Sequence, residues 1–462
     1  MSNSQIDRRA LSQWIDARRA TFESNLKDLV EIPSISMDPA RKADMARCAE
    51  AACALINAAG GRAEVFATGG HPLVAGGFIH DPKFPTVTIY NHLDVQPADE
   101  PTWKQDPFRM SNVNGTYGGR GTTDDKGPAL TAFHAACWAK EVGLPINVRF
   151  LWELEEEIGS PNFDACLKAN AARFKAGGSD RHSVVVSDTV WVARGQPAVS
   201  IGLRGMVSLL LTLETGTEDR HSGLVGGLAR NPITELAAVI AGCVDARTGR
   251  ILIKDFMKKV EKPSRKELDG FVESGFRTNR FKEVHGFKSL RTKDHRAGAA
   301  AIWALPTFEV HGITGGYQGP GVKSIVPPRA EAKVSMRLVP GQTPEEAVRL
   351  LTRHVKTLNK DVVVHAQHGL LPYRGPSTGP LADAAVESLR YAFDKKPAFV
   401  REGGSIGAVV TMGKRLGCDV MFIGLSLPEH GYHAPNENYD WGQASGGMMA
   451  FARYFELLAA RR

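Results

Sequence analysis

Four stretches of the chain run mostly apolar, as strands do, and each stops on a carboxylate or an imidazole. Pro85 to Tyr90 precedes His92 and Asp94, and Ile146 to Trp152 precedes Glu155, Glu156 and Glu157. Ser183 to Val186 precedes Asp188, and Asp419 to Gly424 leads toward Glu429, His430 and His433. Helical patterns lie between them. Leu11, Ile15, Phe22, Leu26 and Leu29 form an amphipathic stripe, Met45 to Ala59 predicts a helix stopped by Gly60-Gly61, and Gly127 to Val142 one stopped by Gly143. Strands alternating with helices predict a largely parallel α/β sheet, whose ligands sit beyond the carboxyl ends of its strands.

The pattern changes near Gly205. Met206 to Glu214 is β-rich, Ser222 to Gly227 reads as a Gly-rich loop, and Pro232 to Val244 as a helix. Thr307 to Val310, Arg329 to Val339 and Val362 to Val364 predict further strands; Ala330, Ala332, Val334, Met336 and Leu338 share one face of the second. Pro344 to Leu358 predicts a helix capped by Thr343 with Glu346 in its first turn. After Gly379 the α/β character returns, with helices from Leu381 to Phe393, from Ile406 and from Gly446 to Ala460, and a short strand at Ala398 to Val400. Asp188 and His433 share a rim only if the middle of the chain is an insertion. The expected fold is a mixed, mostly parallel α/β domain flanked by helices, formed by residues 1–205 and 381–462. Residues 206–380 form an inserted α+β sandwich.

With 462 residues, the chain is too long for one ordinary core. Hydrophobic residues at 43% and charged residues at 23% place it among globular proteins. No apolar run reaches the roughly 18 residues that span a bilayer, so no membrane partner is expected. Met1 to Asp7 is polar and carries no signal-peptide pattern. The six cysteines include no Cys-x-x-Cys pair and read as reduced thiols, so a cytoplasmic location is expected. The net charge of +7 owes much to the segment from Lys254 to Arg296. With no aromatic stacking motif beside it, this reads as a solvated face, and no nucleic-acid partner is expected.

Acids and imidazoles aimed at one rim gather negative charge that a cation makes tolerable, which points to a metal site of two ions. In His92-Leu93-Asp94 the two side chains face the same way, so His92 can bind metal through one nitrogen while Asp94 holds the other. Gly118 to Gly127 opens a helix without dinucleotide-binding spacing and with no strand directly before it; Asp124 and Asp125 there are ligands or helix caps. Of the three glutamates, one can bind metal while its neighbour takes a proton from water. The rival pattern is Gly403-Gly404-Ser405-Ile406-Gly407, a serine-hydrolase elbow with His433 downstream. It leaves His92, Asp124 and Glu157 without a role.

Taken together, these segments resemble the M20 family of metallopeptidases, in its carnosinase and cytosolic non-specific dipeptidase branch. The matching pieces are His92 to Pro97, Gly119 to Pro128, Glu156 to Ser160, Ser187-Asp188, His221 to Gly223, Arg337 to Pro340, Arg401 to Ile406 and His433 to Glu437. The resemblance implies two divalent ions, zinc first, with manganese or cobalt as alternatives. Asp124 bridges them, His92 and Asp188 complete one, and Glu157 and His433 the other. It also implies a cis peptide between Asp124 and Asp125. Glu156 is then the general base for a bridging hydroxide, and Asp94 orients His92. Arg337, Ser405 and Ser324 bind the substrate, with Arg401 assisting. His221 reaches the partner subunit's site in a homodimer, through an inserted domain that serves as lid and dimerisation module. The implied reaction is hydrolysis of dipeptides, or of short peptides with a free C-terminal carboxylate. N-acyl-amino-acid deacylase or carboxypeptidase activity is the alternative.

Overall fold

The computed structural model describes residues 7–175 and 181–461. The polar start of the chain before Asp7 lies outside them. The strand-like stretches become neighbours in a six-stranded sheet. Its order is Arg62–Phe66, Leu73–Phe78, Asn147–Glu153, Thr86–His92, His182–Val186 and Val420–Phe422. The last four run parallel to one another, and the first two add an antiparallel edge.

Alternation along these strands decides which face each side chain serves. Val87, Ile89, Phe150 and Trp152 join one apolar cluster; Tyr90, Leu151, Val184 and Val186 join another. Both faces are covered, which is why the strands read as near-continuous apolar runs. Helices Lys42–Ala58, Gly127–Glu141 and Trp441–Ala459 contribute to the first cluster, and Phe163–Ala169 and Gly407–Met412 to the second. The predicted N-terminal stripe is buried at all five positions. Gly60 and Gly143 take φ of 77° and 69°, the left-handed conformation that ends a helix cheaply only with glycine.

A second core belongs to an antiparallel sheet ordered Thr307–Gly315, Arg329–Leu338, Gly205–Glu214 and Val363–Leu370. Helices Pro232–Cys243 and Pro344–Leu358 cover one face, and Thr343 caps the latter by accepting from Glu346 N–H. Ala330, Ala332, Val334, Met336 and Leu338 are all buried, as their spacing predicts. The strand Ala198–Leu203 pairs with both Tyr373–Arg374 and Ala398–Glu402, so the chain enters and leaves this region side by side.

Several local expectations are corrected. A short strand, Thr116–Gly118, does precede the Gly-rich segment, paired to Ser111–Val113 and Asn438–Asp440. The Gly-rich loop after Arg220 contains a helical turn, Ser222–Val225. The C-terminal helix begins at Trp441, capped by Asp440, not at Gly446. The basic stretch folds into short helices, Arg265–Glu273 and Thr278–Val284, with His295–Trp303 after them. Its lysines and arginines are exposed or half-buried, while Phe271, Phe276 and Trp303 join the core of the six-stranded sheet.

Candidate metal centre

His92 ends its strand in register with Glu153, and the parallel neighbours bring Glu157 and Asp188 to the same rim. His92 Nε2 stands 2.9 Å from Asp124 Oδ1 and 3.7 Å from Asp188 Oδ2. His433 Nε2 stands 3.0 Å from Asp124 Oδ2 and 3.2 Å from Glu157 Oε2. Donor atoms of His92, Asp125 and Asp188 lie within 4.8 Å of one another, as do those of His92, Asp124 and Glu157. All five sequence-predicted ligands therefore meet, and Asp125 joins them. The peptide bond between Asp124 and Asp125 is cis.

The donor set fits a cation. His92 Nδ1 is 3.0 Å from the Asp94 carbonyl, which can only accept, so Nδ1 carries a proton. Nε2 then faces the Asp124 carboxylate, a pairing that needs positive charge between the two. Asp125 Oδ1 is buried without a hydrogen bond. The nearby buried cations are committed elsewhere: Lys126 donates to the carbonyls of Leu29 and Ile32, and Arg120 to Glu437.

The electrostatics follow from this crowding. Burial pushes Asp188 up to about 6, with the Asp124 charge adding to it. Burial raises Asp125 and Glu156 well above the carboxylate range, again with Asp188 contributing. Burial would lower His92 and His433, yet both are raised, because hydrogen bonds to Asp124, joined by Asp94 and Glu157 respectively, outweigh it. Asp124 is lowered despite its burial, since both imidazoles bond to it.

Supporting groups that sequence reasoning passed over hold these side chains. The Asp94 carboxylate accepts from the N–H groups of Glu156 and Glu157 at 3.2 and 3.0 Å, so it fixes the turn carrying both glutamates. Its own Oδ1 is 3.5 Å from His92 Nδ1, farther than its carbonyl. Gln96 donates to Glu157 at 2.6 Å, Asn91 to Asp125 at 2.7 Å and Tyr432 to Asp188 at 3.0 Å. Glu437 accepts from the N–H groups of Gly121, Thr123 and Asp124 and from Arg120. Gln96 and Glu437 sit inside motifs visible in the sequence; Asn91 and Tyr432 directly adjoin ligands, the one signal that could have found them.

A model of peptidase family M20/M25/M40 matches residues 88–457. The chain is an M20-family metallopeptidase. It is 31% identical to the Cys-Gly metallodipeptidase dug1 of Schizosaccharomyces pombe, over 97% of this chain and 98% of that one. It is 28% identical to the rat Beta-Ala-His dipeptidase, over 97% and 95% of the two chains. The solved structure of an M20 family metallo-carboxypeptidase from Sulfolobus solfataricus superposes with a TM-score of 0.86 at 30% identity, covering 95% and 99%.

The remaining predicted residues of this M20 enzyme are not among the clustered ligands. Arg337 donates to Ser405 Oγ at 3.1 Å, and Ser405 in turn donates to the Arg204 carbonyl. Ser405 thus meets an arginine and a carbonyl, and His433 is engaged by Asp124 and Glu157, which leaves the serine-hydrolase reading without a base. Arg401 is buried and donates to Glu267 at 2.8 Å. His221 is exposed on a two-stranded ladder opposite Ile325, its Nδ1 accepting from Gly223 N–H. Ser324 adjoins it, its carbonyl accepting from Ser222 N–H.

Proposed function

We propose that this M20 enzyme hydrolyses the peptide bond of dipeptides with a free C-terminal carboxylate, using two divalent ions, zinc first. The observation that carries this reading is the meeting of His92, Asp124, Glu157, Asp188 and His433 in one cluster. The relatives named as dipeptidases, matched over almost the whole chain, support it. On this reading residues 1–205 and 381–462 form the catalytic domain and 206–380 the inserted lid and dimerisation domain.

Asp124 would sit between the ions, with His92 and Asp188 on one and Glu157 and His433 on the other. When bound, the ions supply Lewis acidity and a water that ionises near neutral pH. The protein supplies the rest. Glu156, fixed by the Asp94-held turn, takes the proton of the attacking water and returns it to the leaving amine. Asp94 and Gln96 keep the glutamates in place. Arg337 grips the substrate carboxylate, where a guanidinium's paired donors suit a carboxylate's two oxygens. Ser405 accepts from Arg337 and orients it; Ser324 adds a hydroxyl on the ladder that carries His221.

His221 is assigned to the neighbouring subunit's site, where it would donate to the developing oxyanion. Leu224, Leu228 and Val322, exposed at 86%, 93% and 95%, flank its ladder and favour a homodimer through this face. The test is chelation followed by reconstitution with zinc, manganese or cobalt, assayed on dipeptides and on N-acyl amino acids. Chelator-sensitive release of amino acids from dipeptides is expected. Turnover confined to N-acyl amino acids would replace this reading with the deacylase, and activity indifferent to chelation would end both.

A further inference from the structure

A cavity of about 530 Å³ opens beside the ligand cluster. Part of its apolar wall is made by Phe276, Phe281 and Val284, from the basic segment that no motif accounts for, and by Trp303 just after it. The rings form a contiguous set, with Phe276 5.3 Å from Trp303 and 5.9 Å from Phe281, centroid to centroid. Neither the metal cluster nor the carboxylate grip explains why a segment so rich in charge presents aromatic rings there.

The lining of the cavity includes residues bonded or adjacent to both anchors of the proposed reaction. Tyr432, whose hydroxyl donates to Asp188, and Ala434, the chain neighbour of His433, belong to the metal side. Arg204, whose carbonyl accepts from Ser405, the partner of Arg337, belongs to the carboxylate side. A dipeptide held with its scissile carbonyl at the metal side and its carboxylate at the other has one residue between them, the C-terminal one. We propose that this cavity receives that residue's side chain and selects large apolar ones, aromatic rings above all. The proposal rests on the dipeptidase reading and on the carboxylate grip by Arg337 and Ser405.

The chemistry of the walls agrees. A buried aromatic side chain brings 150–250 Å² of surface and gains further from edge-on ring contacts. The charged groups facing the space are mostly cations: Arg204, Arg277, Arg280, His285 and Arg401, against the single acid Glu402. Glu402 is already engaged, accepting from Ser200 at 2.6 Å. A lysine or arginine side chain therefore meets like charge and no free carboxylate.

The experiment compares kcat/KM for Ala-Phe, Ala-Leu, Ala-Gly and Ala-Lys with the metal-loaded enzyme, and repeats it in Val284→Trp and Phe281→Ala. Val284 is half-exposed, so a larger side chain fills the cavity without disturbing the core. Ala-Phe is expected to exceed Ala-Gly and Ala-Lys at least tenfold, the scale on which apolar pockets discriminate. That ratio should fall at least fivefold in Val284→Trp. Equal rates for Ala-Phe and Ala-Gly, or a ratio unmoved by both substitutions, would overturn the pocket. If no dipeptide is turned over, the dipeptidase reading fails by itself. The pocket is then decided by calorimetry on the same protein: L-phenylalanine binding that exceeds glycine binding and is lost in Val284→Trp upholds it, and anything less removes it.

Discussion

Glu437 accepts a hydrogen bond from the backbone N–H of Asp124 at 3.0 Å, across 313 positions of sequence. The same carboxylate takes Thr123 and Gly121 N–H and the Arg120 guanidinium, and it is fully buried. It therefore shapes the loop that presents the central aspartate. Glu437→Ala leaves the buried Arg120 charge without its carboxylate and three N–H groups unpaired, and is expected to cost about 3–5 kcal/mol. Glu437→Gln keeps the volume but turns donors toward donors, and turnover should fall about 10–100-fold. Thermal unfolding and kcat of the two variants check both expectations; unchanged turnover in each would detach Glu437 from the site.

Glu156→Gln separates proton transfer from ion binding. Its backbone N–H still bonds Asp94, so the turn survives. Turnover is expected to fall by about 10²–10⁴ while the bound-ion count stays at the wild-type value. Elemental analysis of the purified variant beside its kcat checks this, and full activity would remove Glu156 from the proton path.

Two imidazoles far from the ligand cluster set an acid limit on stability. Burial holds His134 and His182 at about 4, helped by the charges of Arg18 and Arg149, against 6.5 in the unfolded chain. Between those values the unfolded state binds more protons, so their contribution is whole above pH 6.5 and lost as pH falls toward 4. Each is worth on the order of 3 kcal/mol across that window. His134→Gln, which keeps a partner for Asn25, should flatten urea-unfolding free energy between pH 6.5 and 4. An unaltered slope would show that His134 titrates alike in the folded and unfolded chain.

The dimer assignment predicts complementation. His221→Ala and Glu156→Gln should each be inactive alone. Unfolded and refolded together, random pairing yields hybrids with one intact site, and roughly a quarter of wild-type activity should return. No recovery, with hybrid dimers present by mass, would confine His221 to its own subunit.

Much of the centre was legible before folding, for a physical reason. A strand buried on both faces must be apolar throughout, so the first acid or imidazole after it marks the rim. That singled out His92, Asp188 and the Glu155–Glu157 run, and the second core announced itself through strict alternation in Arg329–Leu338. The C-terminal helix starts at Trp441, five residues before the expected Gly446, and takes in Gly442, Gly446 and Gly447. In the fold an added Cβ at Gly446 would come within 2.4 Å of the Phe393 ring, and one at Gly447 within 2.4 Å of Leu425. Those glycines are there for close packing. Phe271 and Phe276 were lost among charges, since only the surface they pack against turns a mixed pattern into a buried face.

Amino-acid order by itself determined which segments are strands and helices and which side chains end them, because periodicity and chain breaks are local properties. Tertiary structure alone decided that Glu437 meets Asp124, that Arg401 turns to Glu267, and that aromatic rings from a basic segment wall a cavity beside Tyr432. Those contacts join residues far apart in the chain. Their energy comes from burying and pairing groups that have no relation until the sheet brings them together.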